Sequence, residues 1–253
     1  MKKILETLKQ KWSEYLLEML VITIGILGAF ALNNWNQQIN EGHREQKLLS
    51  QILTDYEANL HQLENKISQR NTIMEGCIEM LEVIQEDTQV KPDTLSKRFA
   101  TFLLDPTFNP IENDFISSGS IRLLKNDSLK KIISQWNSMN TGYQELEQMQ
   151  HNHLISVIIP FLKRADIMRN TVHEFWDTME LQSGLTDQGR NANSLELKKN
   201  KKKVDVERIL KDPELENLLS FIFHMSRANN MEAETLKRKM LKTIEILNNE
   251  IER

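Results

Sequence analysis

The first pattern along the chain is an almost uninterrupted apolar run from Leu16 to Leu32, in which Glu18 carries the only charge. Trp12 and Trp35 flank this run, and a helix between them spans about 36 Å. That length matches the hydrocarbon layer plus part of the interface, where tryptophan side chains concentrate. We therefore expect a transmembrane helix over residues 15–35, tilted so that the Glu18 carboxylate reaches the headgroup zone.

Two other interpretations of this run stay open. Ala29-Phe30-Ala31 has the form of a signal-peptidase site, although Glu14 and Glu18 and the long region before the run are not typical of a cleaved leader. The run could also be a buried helix of a soluble protein, although Met19 to Leu32 is apolar on every face. Both predict a helix, but only the anchor interpretation predicts that it stays in lipid.

Small residues recur inside the run. Gly25 and Ala29 lie four positions apart, and Gly28 adds another small side. Such spacing lets transmembrane helices approach closely, which favours helix–helix packing in the bilayer. The alternative is the ordinary tolerance of membrane helices for glycine.

The distribution of basic residues predicts the orientation. Four lysines precede the run: Lys2, Lys3, Lys9 and Lys11. After Trp35 the first basic residue is Arg44. The positive-inside rule then makes residues 1–14 a cytoplasmic tail and places residues 36–253 across the membrane, which in a bacterium means an inner-membrane protein with a periplasmic domain.

A seven-residue repeat follows the apolar run and predicts a long helix over residues 44–87. One seam position holds Leu53, Leu60, Ile67, Met74 and Leu81. The second holds Leu49, Tyr56, Leu63, Cys77 and Ile84, with Arg70 interrupting it. This spacing is typical of coiled-coil-like helices, so the first set is a candidate interaction surface. Only Gly42 weakens the connection to the anchor, so the two helices could be nearly continuous.

The rest of the chain also shows helical spacing and helix-boundary signals. The expected elements are a short helix over 94–104, a further short helix over 113–118, long helices over 127–162 and 213–251, and an exposed loop over 181–204. Gly119 follows the second short helix in the left-handed role. No segment alternates like a strand, so we expect an all-α protein: one transmembrane helix and an extramembrane antiparallel bundle.

Composition agrees with few, long helices and excludes several classes. Only 8 glycines and 5 prolines occur in 253 residues, and the net charge is −4. A general nucleic-acid binder shows a basic excess that this chain lacks, so no nucleic-acid partner is expected. The single cysteine, Cys77, excludes a disulfide-stapled domain.

Candidate chemistry is sparse. His151 and His153 are two positions apart and point in different directions on a helix, so they do not chelate one ion together. No phosphate-binding glycine motif occurs, and we expect no cofactor, no metal and no enzymatic activity. The Ser118-Gly119 turn is a candidate interaction site, either because its N–H groups meet an anion or partner strand or only because the backbone needs a positive φ.

Two blocks of sequence carry a resemblance. The stretch from Glu14 to Asn36 contains Glu18, then Gly25-Ile26, then the closing Asn33-Asn34-Trp35-Asn36; a second block, 116–129, begins Ile-Ser-Ser-Gly-Ser-Ile. Both are similar to an uncharacterised family of bacterial membrane proteins common in Bacteroidota. The resemblance implies a single-pass, helical membrane protein of unassigned activity and brings no catalytic residues with it.

Three functions are compatible with these patterns. The leading hypothesis is a membrane-tethered interaction or scaffold module that forms homo-oligomers or binds another envelope protein. The second is an extracytoplasmic sensory bundle that binds a small ligand and acts through a partner. The third is a subunit of an ion- or proton-conducting assembly that uses Glu18 and the Gly25 face.

Overall fold

The computed structural model describes residues 12–111, 114–115, 117–178, 198–202 and 204–251, and in these ranges every regular element is a helix. The α-helices are α1 (Trp12–Gln85), α2 (Pro92–Thr101), α3 (Asp127–His153), α4 (Ile159–Arg164), α5 (Met168–Thr178), α6 (Val206–Leu210) and α7 (Pro213–Ile251). A 3₁₀ turn covers Ser120–Leu123, and a π turn covers Leu154–Ile158. The expected all-α class is confirmed at this level. The predicted tail, 1–14, lies outside the described residues as far as position 11.

Helix α1 is continuous over 74 residues, which corresponds to a rod of about 110 Å. Gly42 does not interrupt it, so the expected anchor and the expected 44–87 helix form one element. The helix ends where Asp87 takes a left-handed conformation, with φ 49°. A short polar side chain tolerates that conformation better than most, so Asp87 provides the stop that no glycine supplies here.

The contact between α1 and α2 depends on a small residue. A Cβ atom at Gly76 would lie 2.8 Å from the Thr101 hydroxyl oxygen and 3.3 Å from the Phe102 ring. Pro92 begins α2, which buries Leu95 and Phe99. The helix therefore starts two residues before the predicted 94–104 segment and ends three residues earlier.

Helix α3 begins where the sequence predicts. The Asn126 side chain accepts a hydrogen bond from the Leu129 N–H at 3.1 Å, as an N-cap residue does. The predicted 127–162 helix is not uniform, since its α-helical part ends at His153 and a π turn connects it to α4. Pro160 lacks an N–H and its ring would crowd the Ser156 carbonyl in a regular α-helix, so the wider turn relieves that clash.

The C-terminal helix α7, Pro213–Ile251, has the predicted range. Asp212 precedes it, and its carboxylate accepts the Glu214 N–H at 2.9 Å. Of the predicted 181–204 loop, residues 181–197 and 203 lie outside the described residues, whereas 198–202 are non-helical. Helices α5 and α6 are additional elements that the sequence patterns did not predict.

Two buried apolar clusters occupy the domain that follows residue 44. The cluster nearer the N-terminal segment joins α1, α3 and α7 and includes Leu49, Leu63, Leu129, Trp136 and Met240. The second joins α1, α2, α4 and α7 and includes Ile73, Phe99, Phe161, Leu215 and Leu219. Side-chain hydrogen bonds across helices link Gln46 with Glu250 and Asn71 with Asn230, which fixes the register of α1 against α7.

Candidate functional site

The apolar segment of α1 has no covering partner in the described part of the chain. Every described side chain from Leu16 to Glu41 is exposed, including large apolar ones such as Leu17 and Phe30. By length and composition this helix can cross a membrane. An internal helix of a soluble domain would instead be buried by its neighbours, so the second open interpretation of the run finds no support here.

The predicted anchor residues lie along this exposed segment. Trp12 and Trp35 are 66% and 62% exposed at its two ends, and Glu18 is also exposed. A Cβ atom at Gly25 or Gly28 would meet nothing within 4 Å, and Ala29 is likewise open. The small residues are thus free to accept a close neighbour, but the single chain supplies none within the ranges described.

A polar stretch separates the apolar segment from the folded domain. Glu45 is the first buried residue after Trp35, and the ten helical steps from Trp35 to Glu45 correspond to roughly 15 Å. The Glu45 carboxylate accepts the Lys125 backbone N–H at 2.6 Å and lies 2.8 Å from the Lys125 ammonium. The hydrogen bond and charge of Glu45 raise the pKa of Lys125. These contacts attach α1 to the chain entering α3 at the base of the domain.

The two seam positions of α1 differ in burial. The candidate interaction residues Leu53, Leu60, Ile67, Met74 and Leu81 are all half-buried. Most of the second set is buried: Leu49, Tyr56, Leu63, Arg70 and Cys77, with Ile84 half-buried. Leu53, Leu60 and Ile67 pack against the first core cluster of the same chain. The seam of α1 therefore packs against other helices of the same chain. The half-buried set that begins with Leu53 lies at the edge of this packing.

Arg70, which interrupts the apolar repeat, is fully buried and forms the centre of a polar network. Its guanidinium donates to the Glu147 carboxylate of α3 and to the Pro106 carbonyl oxygen, and it lies 5.7 Å from the centre of the Tyr143 ring. The second Glu147 oxygen accepts the Phe108 N–H at 2.9 Å. The network therefore joins two long helices to the segment that follows α2.

Burial dominates the titration of this network. Desolvation raises the pKa of the Glu147 carboxyl, and the Arg70 charge and the Phe108 N–H oppose that shift. Desolvation also raises the pKa of the Tyr143 hydroxyl. The Arg70 and Glu147 charges are paired with each other inside the protein, whereas the Nε and Nη1 atoms of Arg70 have no hydrogen-bond partner among the described residues. The arrangement suits a structural clamp.

The Ser118-Gly119 turn has a conformational explanation. Gly119 has φ 74°, so the expected left-handed role is confirmed, while a Cβ there would meet nothing within 4 Å. The Ser118 N–H already donates to the Asp114 carbonyl at 2.9 Å, and its hydroxyl lies 2.8 Å from that of Ser120. These groups are satisfied within the chain, which favours the backbone explanation over anion binding. The expected helix over 113–118 includes Asn113 and Ile116, which lie outside the described residues.

The two neighbouring histidines have separate surroundings. The His151 ring nitrogen lies 2.7 Å from the Asp105 carboxylate, whereas the His153 ring packs on Phe221 with 4.1 Å between centroids. Burial lowers the pKa of His153. Among the side chains that the structure describes, no three of the His, Cys, Asp and Glu type group together to hold a metal ion.

A small cavity lies beside the π turn. Its volume is about 10 Å³, and its walls include Gln150, His153, Leu154 and Phe221. That volume is close to the space occupied by one water molecule and far below the several hundred Å³ typical of small-molecule pockets. The cavity gives no support to a ligand site between the helices.

An open groove between α1 and α7 was not apparent from the sequence. It consists of two hollows of about 340 and 480 Å³, which share the lining residues Asn71, Met74 and Arg227. Met231, at the second hollow, is 64% exposed. The only trace of this groove in the sequence is Met231, an apolar residue within a charged stretch of α7, and helical periodicity alone does not single it out.

Searches of protein-family models, of curated proteins and of solved structures each found no match to this chain, so its description depends on its own residues.

Proposed function

We propose that this chain is a single-pass membrane protein whose helical domain acts as an interaction or scaffold module outside the cytoplasm. The observation that carries the proposal is the exposed apolar segment of α1, continuous with the helix on which the domain is built. In water, exposure of so much apolar surface is unfavourable, at roughly 25 cal/mol per Å², whereas lipid removes that cost. Trp12 and Trp35 then occupy the two interfaces.

The continuity of α1 favours an anchor over a cleaved leader. The Ala29-Phe30-Ala31 site lies inside a helix that runs to Gln85 without a break. Signal peptidases act on extended segments after the apolar region, and no turn interrupts α1 there. The lysine-rich start favours a cytoplasmic N-terminus and a periplasmic domain at a bacterial inner membrane, in keeping with the Bacteroidota family that the chain resembles.

The domain is proposed to be a bundle of α1, α3 and α7 in which α7 runs antiparallel to α1. The contacts that support this run in opposite directions along the chain, since Gln46 meets Glu250 and Asn71 meets Asn230. The contacts of Glu45 with Lys125 and of Arg70 with Glu147 instead favour α1 and α3 running in the same direction. The polar stretch of α1 between Trp35 and Glu45, roughly 15 Å long, holds the side faces of such a bundle away from the bilayer. A rigid helical platform with an open side groove is suited to binding another protein, either another envelope protein or a second copy.

A conducting assembly is the alternative favoured by one observation, the exposed Glu18 in the apolar segment. Acids inside membranes often serve ion or proton transport. Replacing Glu18→Gln removes the charge at nearly constant shape. An unchanged proton flux and assembly in reconstituted vesicles would eliminate this alternative.

Topology reporters test the proposal. Alkaline phosphatase fused after Arg253 is expected to be active, because it folds only outside the cytoplasm, whereas green fluorescent protein at the same place is expected to stay dark. A matched control replaces the four N-terminal lysines with glutamine and adds lysines at Gln37 and Gln38, which should reverse both signals. A fluorescent, phosphatase-negative native fusion contradicts the orientation. Affinity capture from detergent-solubilised membranes then identifies the partner.

A further inference from the structure

The groove between α1 and α7 combines apolar walls with charged edges. Ile67, Met74 and Phe223 are half-buried along it, while Ile78 and Met231 are 45% and 64% exposed. Apolar surface of this kind, bordered by charge, is the usual composition of a protein–protein contact.

The charges at the groove are opposite in sign and face one another across it. Glu75 on α1 and Arg227 on α7 line the same hollow, and both are exposed. The hydrogen bond of 2.8 Å between Asn230 and Asn71 places this part of α7 beside the same turns of α1. Neither Glu75 nor Arg227 forms an ion pair within the described part of the chain. Both charges are therefore available to a partner.

We propose that a second copy of this chain occupies the groove, an inference that depends on the proposed membrane anchoring. Two copies anchored in one bilayer share an orientation, so a two-fold axis along the membrane normal brings equal heights of the two molecules together. The α1 edge of one copy then meets the α7 edge of the other, and Glu75 of each faces Arg227 of its partner. The contact is self-complementary because the same charge pair forms twice.

Charge reversal in two differently tagged copies tests this contact. The variants Glu75→Arg and Arg227→Glu each place like charges in both pairs of their own dimer, so each alone should lower co-purification by at least about tenfold. Co-expression of the two variants restores opposite charges in both pairs of the mixed dimer and should recover the wild-type level. A pair formed within one chain cannot produce that recovery. Lys131→Glu on the exposed side of α3 is the matched control and should have no effect.

Cysteine cross-linking in native membranes gives a second readout that does not depend on charge. In a Cys77→Ala background, a chain with Met74→Cys is co-expressed with a chain carrying Met231→Cys, and a disulfide-linked dimer is expected on mild oxidation. Ser134→Cys on α3 should give none.

The two proposals fail in different ways. A chain that needs detergent for extraction but remains monomeric, with no recovery in the mixed pair and no cross-link, overturns the groove contact and leaves the anchor intact. Capture of a different protein that requires Arg227 and excludes the second copy overturns the groove contact as well. A chain that is soluble without detergent contradicts the anchoring itself.

Discussion

Removing the Glu147 carboxylate should strongly destabilise the domain, because it leaves the Arg70 charge buried without a counter-ion. Arg70 has no exposed surface, and Glu147 is 4% exposed. Breaking a buried ion pair on one side costs about 3–5 kcal/mol, and the Phe108 N–H loses its acceptor at the same time. For a domain of this size each kcal/mol lowers the melting temperature by about 2–4 °C, so Glu147→Ala should melt roughly 6–20 °C earlier.

The assay is thermal unfolding of the full chain in a non-denaturing detergent, followed by circular dichroism. The matched variant combines Arg70→Met with Glu147→Leu and removes both charges while keeping apolar volume. It should be more stable than either single variant, although the Pro106 carbonyl and Phe108 N–H still lose their partners. Either of two results would refute the view that these charges stabilise each other. One is a loss of less than about 1 kcal/mol of unfolding free energy in each single variant, and the other is a loss in the double variant that equals the sum of the two single losses.

Four further predictions concern other sites. Burial raises the pKa of the Cys77 thiol from 9.0 to about 12, so the folded chain should react with thiol reagents only on unfolding. The stability that the buried neutral thiol contributes below about pH 9 should be lost as the pH rises toward 12. Rapid labelling of the native protein contradicts this prediction. Gly119→Ala should destabilise the domain by about 1–2 kcal/mol, because φ is 74° there and a residue with a side chain is strained in that conformation. Gly142→Ala should stabilise the domain by about 0.5–1 kcal/mol, because Gly142 lies inside α3 and its Cβ would meet nothing within 4 Å. Equal denaturation midpoints for the two variants contradict the assigned conformations. Gly76→Ala should lower the melting temperature, since its Cβ would lie 2.8 Å from Thr101; an unchanged value means that α2 shifts freely. Burial lowers the pKa of His153, so the stability that its neutral ring contributes above about pH 6.5 should be lost below that pH. His153→Phe should therefore flatten this part of the curve of unfolding free energy against pH. A variant curve identical to the native one contradicts the assignment of this pH dependence to His153.

The helical elements were largely predictable because their signals are local. The Asn126 cap, the Asp212-Pro213 start and the left-handed Gly119 each depend on residues within one turn. The apolar run was equally plain, since Glu18 is the only charged residue between Leu16 and Leu32. The sequence alone could not predict that the run from Leu16 to Leu32 stays exposed in the folded chain.

The polar interior was not predictable because its partners are distant in sequence. Arg70 and Glu147 are separated by 77 positions, and each looks alone like a surface residue. The Arg70 position in the seam was the only available signal. The π turn also escaped prediction, since Pro160 could equally have ended the helix or kinked it. The α1–α7 groove depends on how two helices are placed side by side, and no single-helix pattern records that.

The most direct test of the account is whether the intact chain needs detergent to leave the membrane. Washed membranes are treated with alkaline carbonate, then with a mild detergent, and the chain is followed by a C-terminal tag. Membrane anchoring by α1 predicts that carbonate leaves the chain in the pellet, that detergent releases it, and that a variant with Val21, Ile24 and Leu27 changed to glutamate is lost from the membrane fraction. Full-length native chain in the soluble fraction before any detergent is added would contradict it.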